Sequence, residues 1–136
     1  MIGIPRKSQR RRRYPSADRA RFDYIIGHYL RECYRAQSVA RASELAERLR
    51  ANRATLSRTI SQVLGRSLVA ELRERRLAEA ARLLRVTSFT IAEIAARSAF
   101  GDRSTFFKVF RSAFQTSPNE YRKSFKKKQQ NATLRP

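Results

Sequence analysis

One segment of this chain is written twice, fifty residues apart, so whatever it folds into has to hold two copies of the same local structure. Asn52-Arg53-Ala54-Thr55-Leu56-Ser57-Arg58-Thr59-Ile60 returns as Asp102-Arg103-Ser104-Thr105-Phe106-Phe107-Lys108-Val109-Phe110. In each copy a short polar residue opens the segment and apolar residues follow at helical spacing. A basic residue stands two positions after the first of them, Arg58 after Leu56 and Lys108 after Phe106. A shorter match precedes each copy: Glu44-Leu45-Ala46 with Arg48, and Glu93-Ile94-Ala95 with Arg97. A helix, a turn and a second helix are therefore repeated, and on a basic chain a duplicated helix-turn-helix points to DNA.

The charge agrees with such a partner. Of a net +20, residues 1–16 hold six basic side chains and no acid, and residues 123–136 hold five and no acid. That leaves +9 for residues 17–122, where all eleven acids lie. Tails of one sign and low hydrophobicity are expected to stay disordered. A hydrophobic content of 41% supports a core in the middle. A polyanion is the expected partner, and composition alone does not choose among DNA, RNA and an acidic membrane surface. No stretch approaches the ~20 apolar residues that span a bilayer, and the start lacks an apolar signal core. No membrane association is expected, because neither Arg10–Arg13 nor Lys126–Lys128 has a flanking apolar anchor. The single Cys33 fits a reducing compartment, and one histidine with one cysteine is too few for a usual zinc site. We expect no metal and no cofactor. Nor is an enzyme expected: no nucleophile–base pair, paired carboxylates or phosphate-cradling glycine loop can be assembled.

Seven helical segments can be placed, and no segment alternates as a strand does, so the fold class is all-α. Phe22, Ile25, Ile26, Tyr29, Leu30, Cys33 and Tyr34 form one apolar stripe on a first helix reaching about Gln37. Cys33 is expected in the core and His28, off the stripe, in solvent. A short second helix, Ala42–Leu49, faces Leu45, Ala46 and Leu49 inward. Asn52 caps a third, Arg53–Leu64, which Gly65 ends. Ser67 opens a fourth, Leu68–Leu84, roughly 25 Å long. Thr90 with Glu93 heads a fifth ending near Ser98, Asp102 caps a sixth, Arg103–Phe114, and Ser117-Pro118-Asn119-Glu120 opens a short seventh.

In the third helix Leu56, Thr59, Ile60, Val63 and Leu64 point one way; in the sixth, Phe106, Val109, Phe110, Ala113 and Phe114 do. The opposite faces then carry Arg53, Ala54, Ser57, Arg58, Ser61 and Gln62, and Arg103, Ser104, Phe107, Lys108, Arg111 and Ser112. Neither holds an acid, whereas an ordinary solvated face mixes both signs. Arginine can donate twice to guanine, serine and glutamine can bond to base edges, and an apolar side chain can touch a thymine methyl. Phe107 is read as such a methyl contact rather than as part of a helix–helix seam.

Several blocks, in order and at matching spacing, resemble the DNA-binding domain of the AraC/XylS family. They are Ser43-Glu44-Leu45-Ala46, Leu56-Ser57-Arg58 with Gly65, Glu74-Arg75-Arg76-Leu77-Ala78-Glu79-Ala80, Ile91-Ala92-Glu93-Ile94-Ala95, Phe100 to Phe110, and Ser117-Pro118-Asn119-Glu120-Tyr121-Arg122. The resemblance covers about residues 20 to 123 and implies two helix-turn-helix subdomains joined by a long linker helix. The expected division is a basic tail 1–16, a first subdomain 17–66, a linker helix 67–85, a second subdomain 86–123 and a basic tail 124–136. By position, the resemblance gives base reading to Ala54, Ser57 and Arg58 in the first subdomain and to Arg103, Ser104, Phe107 and Lys108 in the second. Phosphate contacts are expected from Arg53, Ser61, Gln62, Arg111 and Ser112, and from Arg10, Arg11, Arg12 and Arg13. The chain departs from the family pattern where Ala99 and Gln115 replace glycine, and where Leu68 and Glu71 replace a proline and an aromatic. Gln115 would cost ~1 kcal/mol if its backbone is left-handed.

The function expected is a cytoplasmic, nucleoid-associated transcriptional regulator of the activator type. It would bind double-stranded DNA as a monomer, set two helices in successive major grooves, bend the site and work with RNA polymerase. It is similar to the short, stand-alone members of the family. The alternatives are a nonspecific RNA- or nucleoid-binding protein, or a fragment of a longer ligand-responsive regulator.

Overall fold

A computed structural model describes residues 16–134, and the described residues are all-α, with seven helices. In chain order these are α1 (Ser16–Ala36), α2 (Ala42–Arg48), α3 (Arg53–Leu64), α4 (Leu68–Val86), α5 (Ile91–Arg97), α6 (Arg103–Phe114) and α7 (Pro118–Leu134). Their starts follow the capping chemistry. The Ser67 hydroxyl accepts the Ala70 amide, Thr90 the Glu93 amide and Ser117 the Glu120 amide, each at 3.1 Å. The N-terminal tail with Arg10, Arg11, Arg12 and Arg13 lies outside the described residues.

The chain forms two compact units, one from residues up to Glu32 with Ala40–Arg73, the other from Cys33–Val39 with residues from Glu74 onward. In the first, α1 buries Ile26, Tyr29 and Leu30, α2 buries Leu45 and Ala46, α3 buries Leu56, Ile60, Val63 and Leu64, and α4 adds Leu68 and Leu72. A polar knot ties α1 to α2 at the edge of this core. The Tyr29 hydroxyl accepts from the Arg41 amide at 2.8 Å and donates to Glu44 Oε1 at 2.7 Å. Arg48 lies over the Tyr29 ring at 5.1 Å and donates to Glu32 at 2.8 Å. That bond holds the Glu32 carboxyl below its usual range. His28 is exposed and pairs with the same carboxylate at 2.7 Å. As expected from the α1 stripe, Cys33 is buried.

The second core gathers Leu77, Ala80, Ala81, Leu83 and Leu84 of α4, Ile91, Ile94 and Ala95 of α5, and Phe100, Phe106 and Phe110. Its rings pack edge and face, Phe100 on Phe106 at 5.3 Å, Phe106 on Phe110 at 5.6 Å and Phe110 on Tyr121 at 5.5 Å. Phe106 and Phe110 are fully buried, and truncating either to alanine would cost about 3–5 kcal/mol. Arg122 closes the far end of this unit. Its guanidinium donates to the carbonyls of Leu84 at 3.1 Å, Thr87 at 3.4 Å and Phe89 at 2.8 Å. A helix end leaves such carbonyls without partners, so the arginine acts as a side-chain cap on α4.

Three expectations from sequence change. Leu49 and Ala113, placed inward by periodicity, are exposed, because each lies within a residue or two of a helix end. Phe114 is at the rim, partly exposed but stacked on Phe110 at 4.4 Å. The largest difference is at the C terminus. Where a disordered tail is expected from residue 124, α7 continues through Lys126, Lys127 and Lys128 to Leu134. Charge and low hydropathy argue against a packed core but not against a helix that grows from a docked first turn. From Asn119 to Leu134 there is no glycine or proline to stop it. Phe125 anchors the run beneath Arg85, 5.7 Å from its ring.

Candidate nucleic-acid interface

The two helix-turn-helix copies are closed by the same backbone device. After α2, the Arg50 amide donates to the Glu47 carbonyl at 3.0 Å and the Ala51 amide to Ala46 at 2.9 Å. After α5, Ala99 donates to Ala96 at 3.2 Å and Phe100 to Ala95 at 3.0 Å. This pair of bonds is a Schellman closure, which requires left-handed backbone at its centre. Arg50 has φ 52° and Ala99 φ 65°. The arrest of α5 is reinforced by the buried Ser98, whose hydroxyl donates to the Ile94 carbonyl.

The next helix is then started by a side-chain cap. Asn52 Oδ1 accepts the amides of Ala54 at 2.9 Å and Thr55 at 3.2 Å. Asp102 Oδ1 accepts the Thr105 amide at 2.7 Å, and the Thr105 hydroxyl donates to Oδ2 at 3.0 Å. Those two bonds to Thr105 hold the Asp102 carboxyl below its usual range. Between closure and cap the second copy has one extra residue, Gly101, at φ 88°. A Cβ there would lie 2.5 Å from Val39 Cγ2, so glycine is required by close approach as well as by conformation. Both helices end on left-handed backbone too, Gly65 at φ 83° and Gln115 at φ 58°. The glutamine recovers part of that strain by donating from Nε2 to the Ser112 carbonyl at 2.9 Å.

These devices fix which face of each second helix meets solvent. On α3, Arg53, Ala54, Arg58 and Gln62 are exposed and Ser57 and Ser61 are half-buried. On α6, Arg103, Ser104, Phe107, Lys108, Arg111 and Ser112 are all exposed. Neither helix carries an acidic residue, and the carboxylate of Asp102, just before α6, is turned into the cap. Arg103, Ser104, Phe107 and Lys108 come together around one shallow, open depression of about 370 Å³. Ala54, Ser57 and Arg58 lie along α3 at i, i+3 and i+4, on one side of that helix. Two further exposed residues, Thr55 and Thr105, sit in the first turns and are absent from the sequence-based set. Their residue type could have flagged them, but each is engaged by its cap. Among the described residues no group of His, Cys, Asp or Glu could hold a metal ion, and no helix is long and apolar enough to cross a membrane.

A family profile described as a helix-turn-helix domain matches residues 45–124, which spans both copies. Over 95 residues the chain is 36% identical to the HTH-type transcriptional activator RhaR of Mannheimia succiniciproducens, covering 68% of this chain and 34% of that protein. The chain thus spans about a third of RhaR's length. Among solved structures, the C-terminal domain of AraT, a response regulator from Geobacillus stearothermophilus, is 32% identical with a TM-score of 0.63 over 74% of this chain and 84% of that one. The DNA-binding domain of the global transcriptional factor AdpA, solved with a target DNA, shares the fold at 23% identity with a TM-score of 0.69, over 78% of this chain and 93% of that one. On the profile match, the relatives and the duplicated, identically closed helix-turn-helix, this chain belongs to the AraC/XylS family of transcriptional regulators.

Proposed function

We propose that this chain binds double-stranded DNA sequence-specifically and regulates transcription by setting α3 and α6 into successive major grooves. One observation carries the reading: two helices, each preceded by the same turn closure and started by a side-chain cap, present an acid-free, basic and polar face to solvent. A polyanion is attracted by such a face, and its serine, arginine and lysine side chains match the donor and acceptor pattern of base edges. In this reading Ala54, Ser57 and Arg58, with Arg103, Ser104, Phe107 and Lys108, meet the bases. Arg53, Ser61, Gln62, Arg111 and Ser112, together with Arg10, Arg11, Arg12 and Arg13, meet phosphates, which position the protein without reading sequence.

Both recognition helices belong to one chain, so a monomer suffices on a non-palindromic site, acting in the cytoplasm with RNA polymerase as an activator's partner. The 19 residues of α4 make it ~28 Å long, against ~34 Å between successive major grooves on one face of straight B-DNA. If the two recognition helices sit closer than one DNA turn, the duplex must bend toward the protein. The test is selection of sites from random duplex DNA by the whole chain, at salt high enough to suppress charge-driven binding. Enrichment of one asymmetric sequence is expected. A second reading, nonspecific binding to nucleic acid, is favoured by the net charge of +20. A selection that returns no consensus would establish it instead.

A further inference from the structure

The two reading faces are not equivalent, although their scaffolds are. Ala54 and Ser57 of α3 correspond to Ser104 and Phe107 of α6, and Ser61 corresponds to Arg111. The first face is small and flat in side-chain volume; the second carries an aromatic ring between cations. Phe107 is 38% exposed, much as Phe114 is at the rim of the core (37%), but it lies on the face of α6 that carries the cations. The ring contacts that build the second core run through Phe100, Phe106, Phe110, Phe114 and Tyr121, on the other side of α6. Phe107 instead walls the shallow depression with Arg103, Ser104 and Lys108.

We infer that α6 carries the larger share of sequence discrimination and that it recognises a thymine through its C5-methyl, close to a guanine. This rests on the proposed function and specifies what that site reads. The methyl is the one apolar group on the major-groove edge of a base pair, and it distinguishes thymine from every other standard base. An exposed ring on a groove-facing helix gains by covering it, because the contact removes apolar surface of both partners from water. Arg103 stands one helical turn before Phe107, so their Cβ atoms are about 5–6 Å apart. With ~3.4 Å between successive bases on a strand, a guanine within two base pairs of the thymine lies inside the arginine's reach. Its guanidinium can then donate to guanine O6 and N7. Ser104 and Lys108 flank this pair with shorter or less directional donors. On α3 an arginine, Arg53, stands at the place of Arg103, but Ser57 stands at the place of Phe107 and no corresponding apolar group is larger than the Ala54 methyl, so that arginine has no comparable neighbour.

The test uses the whole chain and the duplex it selects. Each thymine of the site is replaced in turn by deoxyuridine, which removes the methyl and leaves pairing intact. One replacement is expected to weaken binding about three- to fivefold, the effect of uncovering one methyl. The Phe107→Ala protein should bind the unmodified site as weakly as the wild type binds the deoxyuridine site, and should lose nothing further on that duplex. Phe107→Leu, which keeps an apolar contact, should retain most of the discrimination. Arg103→Ala should relax the preference for the neighbouring guanine by about tenfold or more. Thermal melts of each variant separate loss of reading from loss of fold. Indifference to deoxyuridine at every position would overturn this inference alone. So would costs of Phe107→Ala and deoxyuridine that simply multiply, or a larger loss from scrambling the α3 half of the site. A selection that enriches no sequence overturns the proposed function and this inference with it.

Discussion

Gln37, Arg50, Ala99 and Gln115 all hold left-handed backbone without being glycine. A Cβ in that region costs roughly 1–2 kcal/mol, so each records a turn that the surrounding packing imposes on its residue. Gln115 is the simplest to test, because Gly65 ends the equivalent helix with no Cβ at all. Gln115→Gly relieves the strain, frees the unfolded chain and gives up the bond to the Ser112 carbonyl. The net expectation is a gain of about 0.5 kcal/mol, seen as a melting temperature a few degrees higher. Gly101→Ala is the opposite control: a methyl against Val39 on φ 88° backbone should lower the melting point sharply. The exposed cations of α3 and α6 make a second residue-scale prediction. Arg58→Ala and Lys108→Ala occupy equivalent places in the repeat and should weaken the selected duplex by about tenfold or more, with a smaller effect on a scrambled one. Equal losses on both duplexes would mean that these side chains touch only phosphate.

At the scale of elements, the ends of α4 and the length of α7 stand out. Arg122, from α7, satisfies three carbonyls at and beyond the end of α4. Arg122→Ala leaves them short of a donor and should destabilise the second unit by about 2 kcal/mol or more, with Arg122→Lys recovering only part because it lacks the planar fork. Urea unfolding would measure both, and a neutral alanine variant would show that water replaces the clamp. Because α7 is helical beyond Phe125, its lysines do not act as a floppy cluster. Lys126, Lys127 and Lys128 are set about 100° apart around the axis, so no more than two can face one DNA backbone together. Deleting residues 126–136 removes four basic side chains and spares Phe125. The slope of log K against log salt should therefore fall by about 1–2, less than the ~0.9 per charge that four independent contacts would give. Site preference should survive. An unchanged slope would place this helix away from DNA.

For the whole molecule, the duplication makes the prediction. In the proposed reading one chain supplies both groove-reading helices and needs no two-fold partner, so the footprint should cover two successive major grooves on an asymmetric site. Bending a duplex by a few tens of degrees costs on the order of a few kcal/mol, which additional phosphate contacts can offset. Phased-bend gels with the selected site should show a bend toward the protein. A single-groove footprint on straight DNA, or a strict need for an inverted repeat, would contradict it.

The helices were legible in the chain because their signals are local. The stripe through Ile26, Leu30 and Cys33 and the caps at Asn52, Thr90 and Asp102 depend on neighbours a few residues away, and α3 and α6 begin and end where these signals put them. The exposed faces of α3 and α6 follow from the same periodicity. Other features depend on contacts between distant parts of the chain. The turn carrying Gly101 meets Val39 some sixty residues earlier, and residues 33–39 join the second unit although they precede the first helix-turn-helix. Phe125, part-way along α7, lies under Arg85 of α4, forty residues earlier. Hydrophobic spacing also could not distinguish Phe110, at the centre of the ring cluster, from Phe114 at its rim. Sequence alone determined the helices as far as the start of α7, the family and the charge of the exposed faces of α3 and α6, because these are short-range or additive properties. Only the tertiary structure decided that the turn at Gly101 has no room for a side chain beside Val39 and that Phe110 lies at the centre of the ring cluster with Phe114 at its rim, because each depends on what a distant segment brings into contact.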